Sequence, residues 1–350
     1  MREILEANGV SPITGFIPDT PPLEELPQQF AAVTALSENL AKLLEENSLR
    51  ENVQELPVVA CHLPLEEAVA VLRDISMLAA GYLHQGEPLG VLPAALAVPL
   101  NTYSEQLGRT PTFTYDLFAP RNFRVNDPSA PFDIENLDVL RSFTGTEDER
   151  VFTATHIACE AALGPAIYAI GEIQEAITKG DQQSVEKKLC VVHDGAQIFL
   201  RRFAEGVASQ RIRKEVFNKI RPFLQGFENI TYLGTPLSPR VYRGETAAQM
   251  PSIHYFDLAL GLRKQTCVDD DMQQYIPPHF RVVLDAVQEG PSITSYVHAQ
   301  GGVIQDTYDS IADVFTAFRK AHISVVRGYS PSAQGTGSTE GLSWLEGRVR

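Results

Sequence analysis

The chain is short of positive charge. Of 350 residues, 44 are Asp or Glu and only 29 are Lys or Arg, giving a net charge of −15. That balance excludes nucleic acid and anionic membranes as expected partners, since both need a cationic surface. Long apolar runs are missing too. The most apolar stretch, residues 90–100, contains Pro93 and Pro99 and is too short to span a bilayer. No signal peptide is expected, because Met1-Arg2-Glu3-Ile4-Leu5-Glu6 is charged and has no apolar segment. The cysteines are Cys61, Cys159, Cys190 and Cys267, scattered without metal-ligand spacing. They suit reduced thiols in a cytoplasmic protein and exclude a disulfide framework or a zinc site. No zincin pair, P-loop, G-x-S-x-G elbow or Rossmann fingerprint is present. The eight histidines give no two-histidine-plus-carboxylate spacing on any one helix.

What is present is an ordinary globular composition, 44% apolar, in a chain long enough for two domains or one large one. Helical periodicity dominates. The first twenty residues read as loop, and Pro21-Pro22 is a break. Phe30 to Leu44 and Leu65 to Leu83 read as helices, the second with Pro64 at its start. From Gly86 to Arg124 the pattern changes, and Thr112-Phe113-Thr114-Tyr115 alternates as a short strand or extended segment. Residues 126–131 form a loop and the expected domain boundary. Beyond it, Glu147 to Thr178 (kinked at Gly164-Pro165), Ser184 to Val207, Arg211 to Gln225, Ile253 to Leu262, Pro278 to Glu289 and residues 303–329 read as helices. Residues 226–252 are irregular, and so long an irregular stretch in a compact domain is often functional. The expected fold is mainly α: a smaller, mostly helical N-terminal domain over 1–128 and a large all-helical domain over 129–350.

The last helix carries the sharpest signal. Tyr308, Ile311, Ala312, Phe315, Phe318, His322, Val325 and Val326 recur at spacings of three and four and share one face. A histidine on an apolar stripe must be neutral or paired, because an isolated buried charge is costly. It is either a satisfied core residue or a ligand that binds iron through a ring nitrogen.

The wording around His322 resembles the haem-ligand helix of the indoleamine 2,3-dioxygenase family: Arg319, then His322-Ile323, and Tyr329 at the end. The tail Gly335-Thr336-Gly337-Ser338-Thr339 resembles that family's Gly-Thr-Gly-Gly-Thr loop. Four further segments resemble the family. Tyr115 to Arg124 carries a tyrosine and two pocket-wall positions, here Phe118 and Ala119. The run from Val151 to Glu160 carries Phe152, the family's substrate-stacking phenylalanine. Arg221-Pro222-Phe223-Leu224-Gln225-Gly226 resembles its Arg-Pro-Phe-Leu-x-Gly-Trp signature, with Phe227 for the tryptophan. Arg243-Gly244-Glu245-Thr246-Ala247-Ala248-Gln249 and the following Phe256-Asp257 resemble Gly-Gly-Ser-Ala-Gly-Gln and Phe-Asp.

That resemblance implies a haem b enzyme with His322 as iron ligand, Asp257 and Arg319 supporting it, and His156 and Arg221 as catalytic residues. Tyr115, Phe118, Ala119, Phe152, Phe217, Leu224, Thr246, Ala247, Ser338 and Thr339 would contact substrate. Arg221 would grip the substrate carboxylate bidentately, which a lysine cannot reproduce. The 335–339 tail would close over the pocket as a glycine-hinged lid. His156 stands where the family's animal enzymes have a serine, and it resembles the distal histidine of tryptophan 2,3-dioxygenase. The implied reaction adds O₂ across the indole C2–C3 bond of L-tryptophan to give N-formylkynurenine, in a monomer whose partners are an indole substrate and O₂. Departures at His156, Val216 and Phe118 keep open a haem oxygenase or peroxygenase of the same fold acting on a modified tryptophan or another indole. A non-catalytic haem sensor is the third reading.

Overall fold

In the computed structural model of the chain, the described residues are 1–207, 210–262, 270–329 and 335. The expectation of a mainly α fold holds. Strands are confined to two pairs: β1 (Val91–Leu92) runs parallel to β4 (Thr231–Tyr232), and β2 (Phe123–Val125) runs antiparallel to β3 (Leu137–Val139). Among the described residues no helix is long and apolar enough to cross a membrane.

The N-terminal part is built on α5 (Leu65–His84), flanked by α2 (Ala31–Glu38), α3 (Leu40–Glu45), α4 (Leu49–Gln54) and α6 (Ala94–Leu107), while α1 (Arg2–Ala7) packs instead on the helices over residues 164–179 and 278–289. Several expectations fail here. The first twenty residues include α1, and the helix expected over Phe30–Leu44 divides at Asn39. The proline-rich stretch hides α6, which holds Pro99 inside it. A proline there removes one backbone donor but leaves the rest of the ladder intact, and Leu96, Ala97 and Leu100 are fully buried beside it. Thr114 is extended, as the alternation suggests, but Tyr115 already begins α7 (Tyr115–Phe118).

Buried charge fixes these elements to the next part of the chain. Asp74 on α5 takes bonds from Arg73 Nε (2.6 Å), Ser37 Oγ (2.7 Å) and Arg141 Nε (3.0 Å). All four groups are almost wholly enclosed. Losing one partner would leave an uncompensated interior charge, which is far costlier than losing the whole set.

The helical bundle follows. It comprises α8 (Glu147–Ala162), α9 (Gly164–Lys179), α10 (Gln182–Glu205), α11 (Lys214–Ile220), α12 (Pro251–Ala259), α13 (Asp270–Gln273), α14 (Pro278–Glu289), α15 (Ile293–Gln300) and α16 (Gly302–Tyr329). The expected kink is a true break at Leu163-Gly164. Glycine is required there, because a Cβ would lie 2.4 Å from Ile13 O and 2.6 Å from Gly15 N. The N-terminal turn crosses the bundle at that point. The helix expected over Arg211–Gln225 is α11 followed by a 3-10 turn, Arg221–Leu224, and α15 goes unread in the sequence. Helix α10 packs against α8, α9 and α16. Its Phe199 and Phe203 meet Phe318 of α16 at ring distances of 4.7 and 5.0 Å, so α16 is docked along an aromatic seam.

Candidate active site

The start of α8 is over-determined. Thr146 caps it, its hydroxyl accepting from Glu149 N, while Glu149 reaches back to Phe143 N and Thr144 N, both at 2.7 Å. This fixes the rotation of α8 and hence the direction of Phe152 and His156, which lie one turn apart. Helix α7 is fixed by charge: Asp116 pairs with Arg109 at 2.6 Å and lies 4.0 Å from Arg121.

The two helices bring four aromatic groups together. The His156 ring lies 4.7 Å from Phe152, 5.8 Å from Tyr115 and 6.1 Å from Phe118. Phe152 also meets Phe217 of α11 at 5.3 Å, and Phe217 meets Tyr329 of α16 at 5.2 Å. His156 Nδ1 is 2.8 Å from Phe152 O. A carbonyl oxygen only accepts, so Nδ1 carries the proton and Nε2 is left with a free lone pair. Burial holds the imidazole pKa below its ordinary value, so the ring is neutral at physiological pH.

His322 lies on α16. Its ring stacks parallel to Phe318 at 5.9 Å and stands edge-on to Phe203 at 6.1 Å. Burial, with a smaller contribution from His156, lowers its pKa to about 4, so the two imidazoles lie within electrostatic reach of each other. Both residues are half-buried. Neither His322 ring nitrogen has a hydrogen-bond partner among the described residues. Three residues earlier on α16, Arg319 is ion-paired with Asp257 of α12, both largely enclosed.

The remaining wall is made by backbone approach. A Cβ on Gly244 would lie 2.1 Å from Leu224 O, and one on Gly226 would lie 2.1 Å from Tyr242 O. Two glycines therefore let the 242–245 segment lie directly on the Arg221–Leu224 turn. Gln249 ties this wall to α7: its Oε1 accepts from Tyr115 N at 2.9 Å and its Nε2 donates to Gly244 O at 2.8 Å. Arg221 is half-buried at the head of its turn, and burial depresses its pKa.

Tyr115, Phe118, Phe152, His156 and Phe217 thus belong to one connected set of ring contacts, while His322 belongs to a second set with Phe203 and Phe318. Ala119 and Leu224 are fully or nearly fully buried on the adjoining wall. Thr246 and Ala247 are half-buried, and the Thr246 hydroxyl accepts from Ala248 N, so it serves its own turn. Ser338 and Thr339 lie outside the described residues, as does most of the expected lid. Two residues that sequence reasoning passed over are Gln249, which joins two walls, and Phe203, which packs on His322. Phe203 was open to discovery through its apolar i, i+4 spacing from Phe199. Nothing in the local sequence signals the two bonds of Gln249.

The family model described as indoleamine 2,3-dioxygenase matches residues 4–340. Indoleamine 2,3-dioxygenase 1 of Rattus norvegicus is 28% identical, over 95% of this chain and 86% of its own length. Indoleamine 2,3-dioxygenase 2 of Mus musculus is 28% identical over 92% and 83%, and the indoleamine 2,3-dioxygenase of Saccharomyces cerevisiae is 27% identical over 93% and 80%. Matched over nearly its whole length, the chain belongs to the indoleamine 2,3-dioxygenase family and is a haem-dependent dioxygenase.

Proposed function

We propose that the protein adds both atoms of O₂ across the indole C2–C3 bond of L-tryptophan, giving N-formylkynurenine, with haem b held by His322. The single observation that carries this is the His322 ring. It is neutral, half-buried and within electrostatic reach of His156, and neither of its nitrogens has a hydrogen-bond partner among the described residues. A lone pair of that kind fits an iron porphyrin, which brings four of its own ligands and needs one imidazole from the protein. The chemistry that haem supplies when bound is the activation of O₂.

The protein's part is to hold, orient and exclude water. The Arg319–Asp257 pair pins α16 close to His322 and fixes the ring's approach. His156 Nε2 accepts the indole N–H, its tautomer set by the Phe152 carbonyl. Phe152 offers its ring face to the indole, and Phe217 supports it from behind. Arg221 takes the carboxylate in a bidentate grip. Tyr115, Phe118, Ala119 and Leu224, all nearly closed to solvent, keep water from the reacting carbon atoms. The cytoplasm, with its reduced thiols, suits the exposed Cys61 and Cys190.

A second reading, insertion of one oxygen atom into a modified indole, is favoured by one feature: His156 is a base poised in the pocket where the family's animal enzymes have a serine. The two are separated by loading the purified protein with haem, supplying L-tryptophan, a reductant and isotopically labelled O₂, and weighing the product. Gain of both labelled atoms supports the dioxygenase, gain of one supports the second reading, and absence of product with intact haem refutes both.

A further inference from the structure

Among the described residues, Tyr115 Oη, Glu160 Oε1 and Glu245 Oε1 are buried without a hydrogen-bond partner. Their residues are 0%, 0% and 3% exposed. Glu160 uses its other oxygen to accept from the Ser252 hydroxyl. Glu245 makes no hydrogen bond among the described residues, and burial alone perturbs it, with no cation near enough to contribute. Tyr115 lies within electrostatic reach of both carboxyls, and its ring is the one that meets His156. A buried carboxyl without a partner costs about 1–3 kcal/mol or more, so native proteins seldom keep one that nothing ever completes.

Its place in the wall is informative. Glu245 directly follows Gly244, the residue pressed onto the Arg221–Leu224 turn, and Gln249 joins the same segment to Tyr115. The guanidinium expected to meet the substrate and a buried carboxyl that lacks a hydrogen-bond partner among the described residues therefore sit on adjoining strips of backbone. Where the family's motif has glycine, this chain has placed an acid.

We propose that Glu245 accepts the α-ammonium group of the substrate, so that the pocket recognises a zwitterionic amino acid through opposite charges at two points, Arg221 for the carboxylate and Glu245 for the ammonium. This rests on the reading of the site as the indole pocket. The carboxyl releases its proton to solvent as the ammonium arrives, and the pair then forms in a water-poor site, where it is strongest. Tyr115, whose hydroxyl has no hydrogen-bond partner, lies within electrostatic reach of it. Selectivity for amino acids over simple indoles follows from the protein and not from the cofactor.

The test is a comparison of three ligands on the haem-loaded protein, with binding followed by the shift of the Soret band. L-Tryptophan carries both charges, tryptamine only the ammonium, and indole-3-propionate only the carboxylate. Glu245→Gln should weaken L-tryptophan and tryptamine roughly ten- to a hundredfold and leave indole-3-propionate within about twofold. Glu245→Asp, which keeps the charge but withdraws it, should show the same selectivity with a smaller loss. Equal losses on all three ligands, or no loss on any, overturn the proposal while leaving the indole pocket intact. If none of the three binds the parent protein, the reading of the pocket fails, and the proposal fails with it.

Discussion

Replacing Glu245 by glutamine preserves the volume of the side chain and removes its titratable proton. Burial pushes the carboxyl from its ordinary 4.5 up to about 8. A folded-state pKa above the unfolded one means that the native protein keeps a proton that the unfolded chain has already released. The native state is therefore undisturbed below about pH 4.5 and loses stability steadily as the pH rises to about 8, after which the loss is constant. At about 1.4 kcal/mol for each pH step, that interval sets a ceiling of roughly 4 to 5 kcal/mol, of which relaxation and water penetration will leave a part. Glu160 is pushed to about 8 by burial, partly offset by its bond from Ser252, and acts in the same direction over the same window. Asp116 and Asp148 have depressed pKa values, so their stabilisation is lost only at acid pH and does not overlap. Urea unfolding of the haem-loaded protein, followed by circular dichroism between about pH 6.5 and 8, should show stability falling with pH; below that window the buried His84, His156, His279 and His322, all held below their ordinary pKa by burial, act in the opposite direction. Glu245→Gln should fall less steeply, because Glu160 and Glu149, both raised by burial, remain. Saturating L-tryptophan should flatten the parent curve, since an ammonium partner removes the reason to hold the proton. Identical slopes in parent and variant would mean that Glu245 is already solvated or paired, and the reasoning would be refuted.

His322→Ala should lose haem or its histidine-ligated spectrum while far-UV circular dichroism stays unchanged, because alanine suits a helix interior; a normal spectrum would sink the assignment of the ligand. Arg221→Lys should weaken L-tryptophan about ten- to a hundredfold with the haem spectrum spared, and an unchanged KM would remove Arg221 from the pocket. In His156→Ser, affinity for L-tryptophan should fall more than affinity for its N-methylated analogue, which cannot donate to Nε2; equal losses would argue against the indole N–H as the partner. Gly164→Ala should destabilise the protein by about 2 kcal/mol or more in chemical denaturation, because its Cβ would meet the Ile13 carbonyl at 2.4 Å.

The long helices were legible because their apolar residues repeat at helical spacing over three turns or more: α5, α10, α14 and α16 all fall close to where the sequence puts them. What failed was short or disguised. Helix α6 was hidden by Pro93 and Pro99, since local propensity argues against a helix that tertiary burial of Leu96 and Leu100 supports. Helices α1 and α15, at 6 and 8 residues, are too short for periodicity to register. At the site, resemblance supplied residue identities, but not relationships. That His156 carries its proton on Nδ1 depends on the position of the Phe152 carbonyl. The isolation of Glu245 depends on the absence of cations from segments far away in sequence. The contact between Gly244 and the Arg221 turn is a backbone approach, and composition records only that both places are glycine-rich.

Helix α16 is also the last described helix to leave the ribosome. Its docking surface is complete well before it: Phe199 and Phe203 of α10 and Asp257 of α12 are already synthesised when residue 302 is reached. Chains elongate at about 5–20 residues per second, so for some seconds a nascent molecule presents an aromatic seam and a buried-to-be carboxylate with nothing on them. Exposed apolar surface of that kind is where a growing chain is open to wrong contacts, and the docking of α16 is what closes it.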